Sequence, residues 1–169
     1  MKFLCDKHRA LINQSHSQAL GRWEEWMHEG STSLEQGKLQ KAISYFGCCY
    51  ELSEMLTSHD PDRGLESAGE KFSAMDRLML SGHLLAESLG RSGKIQLERH
   101  YLLAVHHHIT HFMARRAQCP GRSVQKNLEI SLLMLRRHCN QHGEFSGYQA
   151  CLLQACQLAG QPTANVAIH

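Results

Sequence analysis

Apolar side chains recur along this chain at spacings of three and four. Sustained apolar–polar alternation is absent and β-branched residues are sparse. That is the pattern of amphipathic helices packed on one another, and it predicts an all-α fold. Leu20, Trp23, Met27 and Leu34 approximate one face of a helix over residues 15–36, which Gly37 ends. Leu39, Ala42, Ile43, Phe46, Cys49, Tyr50 and Leu56 stripe a second helix over 38–58. The turn-rich run His59-Asp60-Pro61-Asp62-Arg63-Gly64 stops it. A third helix is predicted over 65–89, with Phe72, Met75, Leu78, Leu85, Ala86 and Leu89 on its stripe. A fourth covers 95–117 with Tyr101, Val105, Ile109 and Phe112 on one face, up to the stop at Cys119-Pro120-Gly121. Ser123 is a good N-cap for a fifth, to residue 140, lined by Leu128, Leu132 and Leu135. The sixth covers 145–158 and ends at Gly160-Gln161-Pro162. The chain therefore reads as one domain over residues 1–160 with a tail over 161–169.

The six predicted helices pair into three antiparallel hairpins. Gly37-Lys38-Leu39, Gly93-Lys94-Ile95 and Gly143-Glu144-Phe145 each place a glycine, a charged residue and a large apolar residue between two helices. The spacing between turns is 56 residues and then 50. Around the first turn, Trp26, Gly30, Gly37, Ala42, Phe46 and Cys49 follow the order large, small, glycine, small, aromatic, small. This stretch resembles one tetratricopeptide repeat, a family with a period near 34 residues. The other two units match in outline only. Leu85, Ala86 and Gly93 fit in the second, but Leu97 or Glu98 stands where a small residue is expected. In the third, Leu135, Gly143, Leu152 and Ala155 fit, with Arg136 at a small position. The resemblance implies a short tetratricopeptide-like solenoid or compact bundle of three elongated hairpins. It further implies a scaffold or adaptor that binds a protein or peptide in a groove lined by the first helix of each hairpin. In the first unit Glu24, Met27, Ser31 and Leu34 would face that groove. Met27 and Ser31 stand where a carboxylate-clamping repeat would carry lysine and asparagine, so that subtype does not fit.

Composition adds the compartment and the charge pattern. Hydrophobic content is 42% and charged content 20%, ordinary for a globular protein. Net charge is +2, yet residues 1–90 carry 13 acidic and 9 basic side chains and residues 91–169 carry 3 and 9. An uneven balance of this kind suits an acidic partner, a nucleic acid or self-association, including a homodimer. Seven cysteines, an odd number without a CxxC pair, lie partly inside apolar runs and read as reduced residues of a cytoplasmic protein. The first residues lack a signal-peptide core, and no run approaches a membrane span.

Catalytic motifs are absent. There is no GxSxG, GxxxxGK[ST], GxGxxG or HExxH, and Glu24-Glu25 are adjacent helical residues that point apart. Cys48-Cys49 sit in an apolar stripe and read as buried thiols rather than nucleophiles. No cofactor is expected. The His106-His107-His108-Ile109-Thr110-His111 run offers an alternative. His107 and His111, four apart, and His138 and His142, also four apart, could together ligate zinc or a similar metal. Against this, His107 and His111 lie opposite the apolar stripe, where solvated histidines need no metal, and His108 at the stripe's edge reads as a core histidine. A third reading places nucleic acid against Arg115-Arg116, Arg122, Lys126 and Arg136-Arg137, although these clusters lack aromatic interleaving and a recognition motif.

Overall fold

The computed structural model describes residues 2–59, 72–115 and 122–159. Among them are seven helices and no strand, so the all-α expectation holds. In chain order they are α1 (Asp6–Gln14), α2 (His16–Glu35), α3 (Leu39–His59), α4 (Ala74–Arg91), α5 (Ile95–Arg115), α6 (Arg122–His142) and α7 (Tyr148–Leu158). The expected turn over 59–64, the stop at 119–121 and the tail over 161–169 lie outside the described residues.

The count corrects the six-helix expectation, because α1 was not anticipated. Its sequence, DKHRALINQ, is short, polar and without an apolar stripe. A single extended residue, Ser15 (φ −151°, ψ 116°), separates it from α2 and caps α2 by accepting from the Gln18 N–H. In the third predicted helix, Phe72 and Ser73 are not helical. Residues 65–71 fall outside the described chain, and α4 begins at Ala74 because Ser73 and Asp76 form a reciprocal capping box. Likewise α7 starts at Tyr148 rather than Phe145, after Gly147 in the left-handed region (φ 103°).

The first two hairpin turns are built alike. Gly37 (φ 70°) and Gly93 (φ 78°) occupy the left-handed position after α2 and α4. The Lys38 N–H donates to Ser33 O and the Gly37 N–H to Leu34 O; the Lys94 N–H donates to Leu89 O and the Gly93 N–H to Gly90 O. These are the paired bonds of the Schellman motif. Gly143 (φ 88°) instead makes one bond, to Cys139 O at 2.8 Å. A Cβ at Gly37 would meet nothing within 4 Å, so Gly37→Ala costs only the left-handed strain. The expected loss is about 1 kcal/mol, read as the shift of the urea midpoint. A loss above roughly 3 kcal/mol would show that the turn is packed as well as bent.

The chain divides into two compact units, Met1–Tyr101 and Leu102–His169. In the first, α3 packs against both α2 and α4, and α1 lies along α2. The core holds Trp23, Ala42, Phe46, Cys49, Leu52, Leu78, Leu85 and Leu89. Gly30 lets the Phe46 ring of α3 pack directly on α2: a Cβ there would stand 2.7 Å from Cε1 of Phe46. The Cys49 thiol donates to Trp23 O at 3.6 Å, and the Arg77 guanidinium lies 5.7 Å from the centroid of the Trp23 ring. In the second unit, Val105, Ile109, Met113, Leu128, Leu135, Cys151 and Ala155 are buried, and α6 packs on α7.

Burial exposes a repeat that pattern alone hides. Leu78, Ser81, Leu85 and Leu89 of α4 are all buried, and so are Leu128, Ser131, Leu135 and Cys139, each fifty residues further along α6. The second and third hairpins thus present matching core faces on their first helices.

Candidate functional site

The four expected groove positions of α2 split by burial. Glu24 is exposed and Ser31 half-buried, while Met27 (8% exposed) and Leu34 (9%) belong to the core of the first unit. Trp23, Met27, Gly30 and Leu34 follow a spacing of four, three and four, so they share one buried face. An incoming partner would find Glu24 and Ser31 on this helix and not the two apolar residues.

Apolar exposure lies elsewhere. On α6, Ile130 is 36% and Leu133 63% exposed. Together with exposed Lys126 and Arg137 they run at intervals of four, three and four, forming one stripe opposite the buried Leu128–Ser131–Leu135 face. Lys126 and Arg137 stand at its ends. Leu153 on α7 is also 46% exposed. Ile130 and Leu133 are among the apolar residues of α6, with Val124 and Met134, left over once Leu128, Leu132 and Leu135 are assigned to the core. That remainder was the available signal in the sequence. Of the basic clusters, Arg115, Arg136 and Arg137 are exposed; Arg116 and the Arg122 side chain lie outside the description.

The histidines separate in the same way. His107 and His111 are exposed on α5. His138 is buried (3% exposed) and His142 exposed, with ring centroids 4.9 Å apart. Neither His107 nor His111 belongs to any group of three candidate ligand atoms within 4.8 Å of one another among the described residues. Among the described residues the four-histidine site is therefore not assembled, although the two α6 rings lie together.

Among the described histidines, His106, to which helical spacing assigns no ligand role, is the most buried. His106 is fully buried, and its Nδ1 lies 2.8 Å from the Ser131 hydroxyl of α6. Burial pushes its pKa down to about 4, the neighbouring His107 adds to the shift, and the backbone of Cys151 on α7 opposes it. The ring thus ties α5 to α6 through Ser131, while its Nε2 is buried without a hydrogen-bond partner. His108, expected in the core, is only half-buried. A serine hydroxyl beside an imidazole is also a nucleophile–base arrangement. Here Ser131 is 1% exposed and His106 0%, so the pair is closed to substrate and serves packing.

The thiols fit the same account. Burial pushes Cys48 up to about 11 and raises Cys49, Cys139 and Cys151. Protonated thiols are poor nucleophiles. The described cysteines are all free. Among the described residues no helix is long and apolar enough to cross a membrane.

Fold and surface together define an all-α helical-hairpin protein with an apolar–basic face on α6. A family model described as a protein of unknown function, DUF2753, matches residues 21–167, and the chain belongs to that family. No curated protein and no solved structure gives a significant match.

Proposed function

We propose that the protein is a non-catalytic, tetratricopeptide-like scaffold or adaptor of the cytoplasm that binds a protein or peptide. The observation that carries this reading is the outer face of α6, where Ile130 and Leu133 are exposed between Lys126 and Arg137. Exposed apolar side chains rimmed by charge are what a docking helix needs from a rigid element. The close Gly30–Phe46 packing and the Gly37 turn support the tetratricopeptide-like part of the reading.

The test is Leu133→Glu. Because Leu133 is 63% exposed, the substitution should change stability by no more than about 0.5 kcal/mol. A partner cross-linked to the wild-type chain in cells should be lost from the variant at equal expression. Retention of the same partner by the variant overturns the assignment of this face. A second reading, a helical metal-binding protein, has one observation in its favour, the 4.9 Å approach of the His138 and His142 rings. Zinc titration of the untagged protein separates the two: no stoichiometric uptake, or uptake unchanged in His142→Ala, removes it.

A further inference from the structure

The first residues of the described chain are held on α3 in the manner of a bound peptide. Glu51, with a side chain only 11% exposed, accepts the Phe3 N–H at Oε1 (2.9 Å) and the Leu4 N–H at Oε2 (2.7 Å). Arg9 Nη2 donates to the same Oε2 at 3.1 Å. One carboxylate thus grips two consecutive main-chain amides, a charge-assisted and strongly directional arrangement. The Cys48 thiol, which burial keeps protonated, donates to the Phe3 carbonyl at 3.7 Å.

The side chains are received as specifically as the backbone. The Phe3 ring lies over Gly47, where a Cβ would stand 2.2 Å from its Cδ1, so only glycine leaves this notch open. Tyr101 stands beside it, with ring centroids 6.3 Å apart, and Tyr50 packs edge-on against Tyr101 at 5.4 Å. Leu4 is 1% exposed. The helix that follows, α1, reaches α2 through the single extended residue Ser15. The hydrogen bonds given for this segment against α3 involve Phe3, Leu4 and the Arg9 side chain.

We propose that the notch formed by Gly47, Cys48, Glu51 and Tyr101 is a peptide-binding site for an extended segment bearing an aromatic–aliphatic pair, occupied in this chain by its own Phe3–Leu4. This site lies in the first unit, and the proposal stands or falls independently of the α6 face. A partner segment of the same pattern takes the notch only when the resident pair leaves. The tether holds that pair at an effective concentration in the millimolar range, so it acts as a built-in competitor.

The experiment uses a fluorescein-labelled peptide of residues 1–10 and follows its anisotropy. Full-length protein carrying Phe3→Ala and Leu4→Ala should bind it at least tenfold more tightly than the wild-type chain does. Adding Glu51→Gln, or replacing the peptide's phenylalanine with alanine, should each weaken binding about tenfold. Equal affinity for wild type and variant, or no binding to a variant with wild-type circular dichroism, overturns the proposal. Should the variant lose helix, the wild-type chain decides. On titration with unlabelled peptide into the millimolar range, its Phe3 and Leu4 amide resonances should move toward their positions in the free peptide. Amide resonances that stay in place overturn it.

Discussion

Replacing Phe46 with alanine should lower the unfolding free energy by about 3–5 kcal/mol, the usual cost of truncating a fully buried phenylalanine. Phe46 is 0% exposed and fills the space beside Gly30, where α2 leaves no room for a Cβ. Against a typical total of about 5–15 kcal/mol this is a large fraction. Both tryptophans, Trp23 and Trp26, lie on α2, so urea unfolding followed by their fluorescence reports on this unit directly. The partner substitution makes the test sharper. Gly30→Ala alone places a Cβ 2.7 Å from the Phe46 ring and should cost about 1–3 kcal/mol by overpacking, less the helix-propensity gain. In the Phe46→Ala background the clash is gone and the propensity gain of up to about 1 kcal/mol remains. The same substitution should then stabilise. Additive losses in the double-mutant cycle would disprove the close-packing account.

The second large effect is acid lability from buried neutral histidines. His106 is fully buried and His83 on α4 half-buried, and the Nε2 of each is buried without a hydrogen-bond partner. Burial pushes each down to about 4 from the ordinary 6.5. Because the folded values lie below the unfolded one, the unfolded chain binds more protons between pH 6.5 and 4. The stability these rings contribute is therefore complete above pH 6.5 and is lost as pH falls toward 4. Each ring changes the unfolding free energy by up to about 1.4 kcal/mol per pH unit, and by about 3 kcal/mol over the window. Urea unfolding followed by circular dichroism at pH 7, 6 and 5 should show the decline. His106→Gln should lower stability at pH 7 yet flatten the dependence by about one proton in the second unit. A slope unchanged by that substitution would show that His106 does not titrate with unfolding.

Legibility differed from element to element for identifiable reasons. The hairpin turns could be read because Gly37 and Gly93 act locally: each closes its helix through bonds to residues three to five positions back. Apolar spacing carries the third predicted helix back through Phe72, whereas the Ser73–Asp76 capping box sets the start of α4 at Ala74. α1 could not be read from periodicity. Its neighbour Leu4 is buried, Phe3 sits over Gly47 and His8 meets the Trp26 ring edge-on at 5.7 Å, and all of these contacts are made to distant parts of the chain.

The expected groove shows the same division. Spacing placed Met27 and Leu34 on one side of α2 but could not say that α3 and its neighbours cover that side. It marked His107 and His111 as a pair and left His106, whose burial depends on Ser131 and Cys151 from other helices. By itself, then, the sequence determined the helical class, the Gly37 and Gly93 turns and the close packing within the first hairpin. These follow from local backbone preference and from residues near one another along the chain. Tertiary structure alone decided which faces are covered, that Ile130 and Leu133 stay exposed, and that Glu51 holds the first residues. Burial is a property of what arrives from elsewhere in the chain, and a helix's own periodicity carries no record of it.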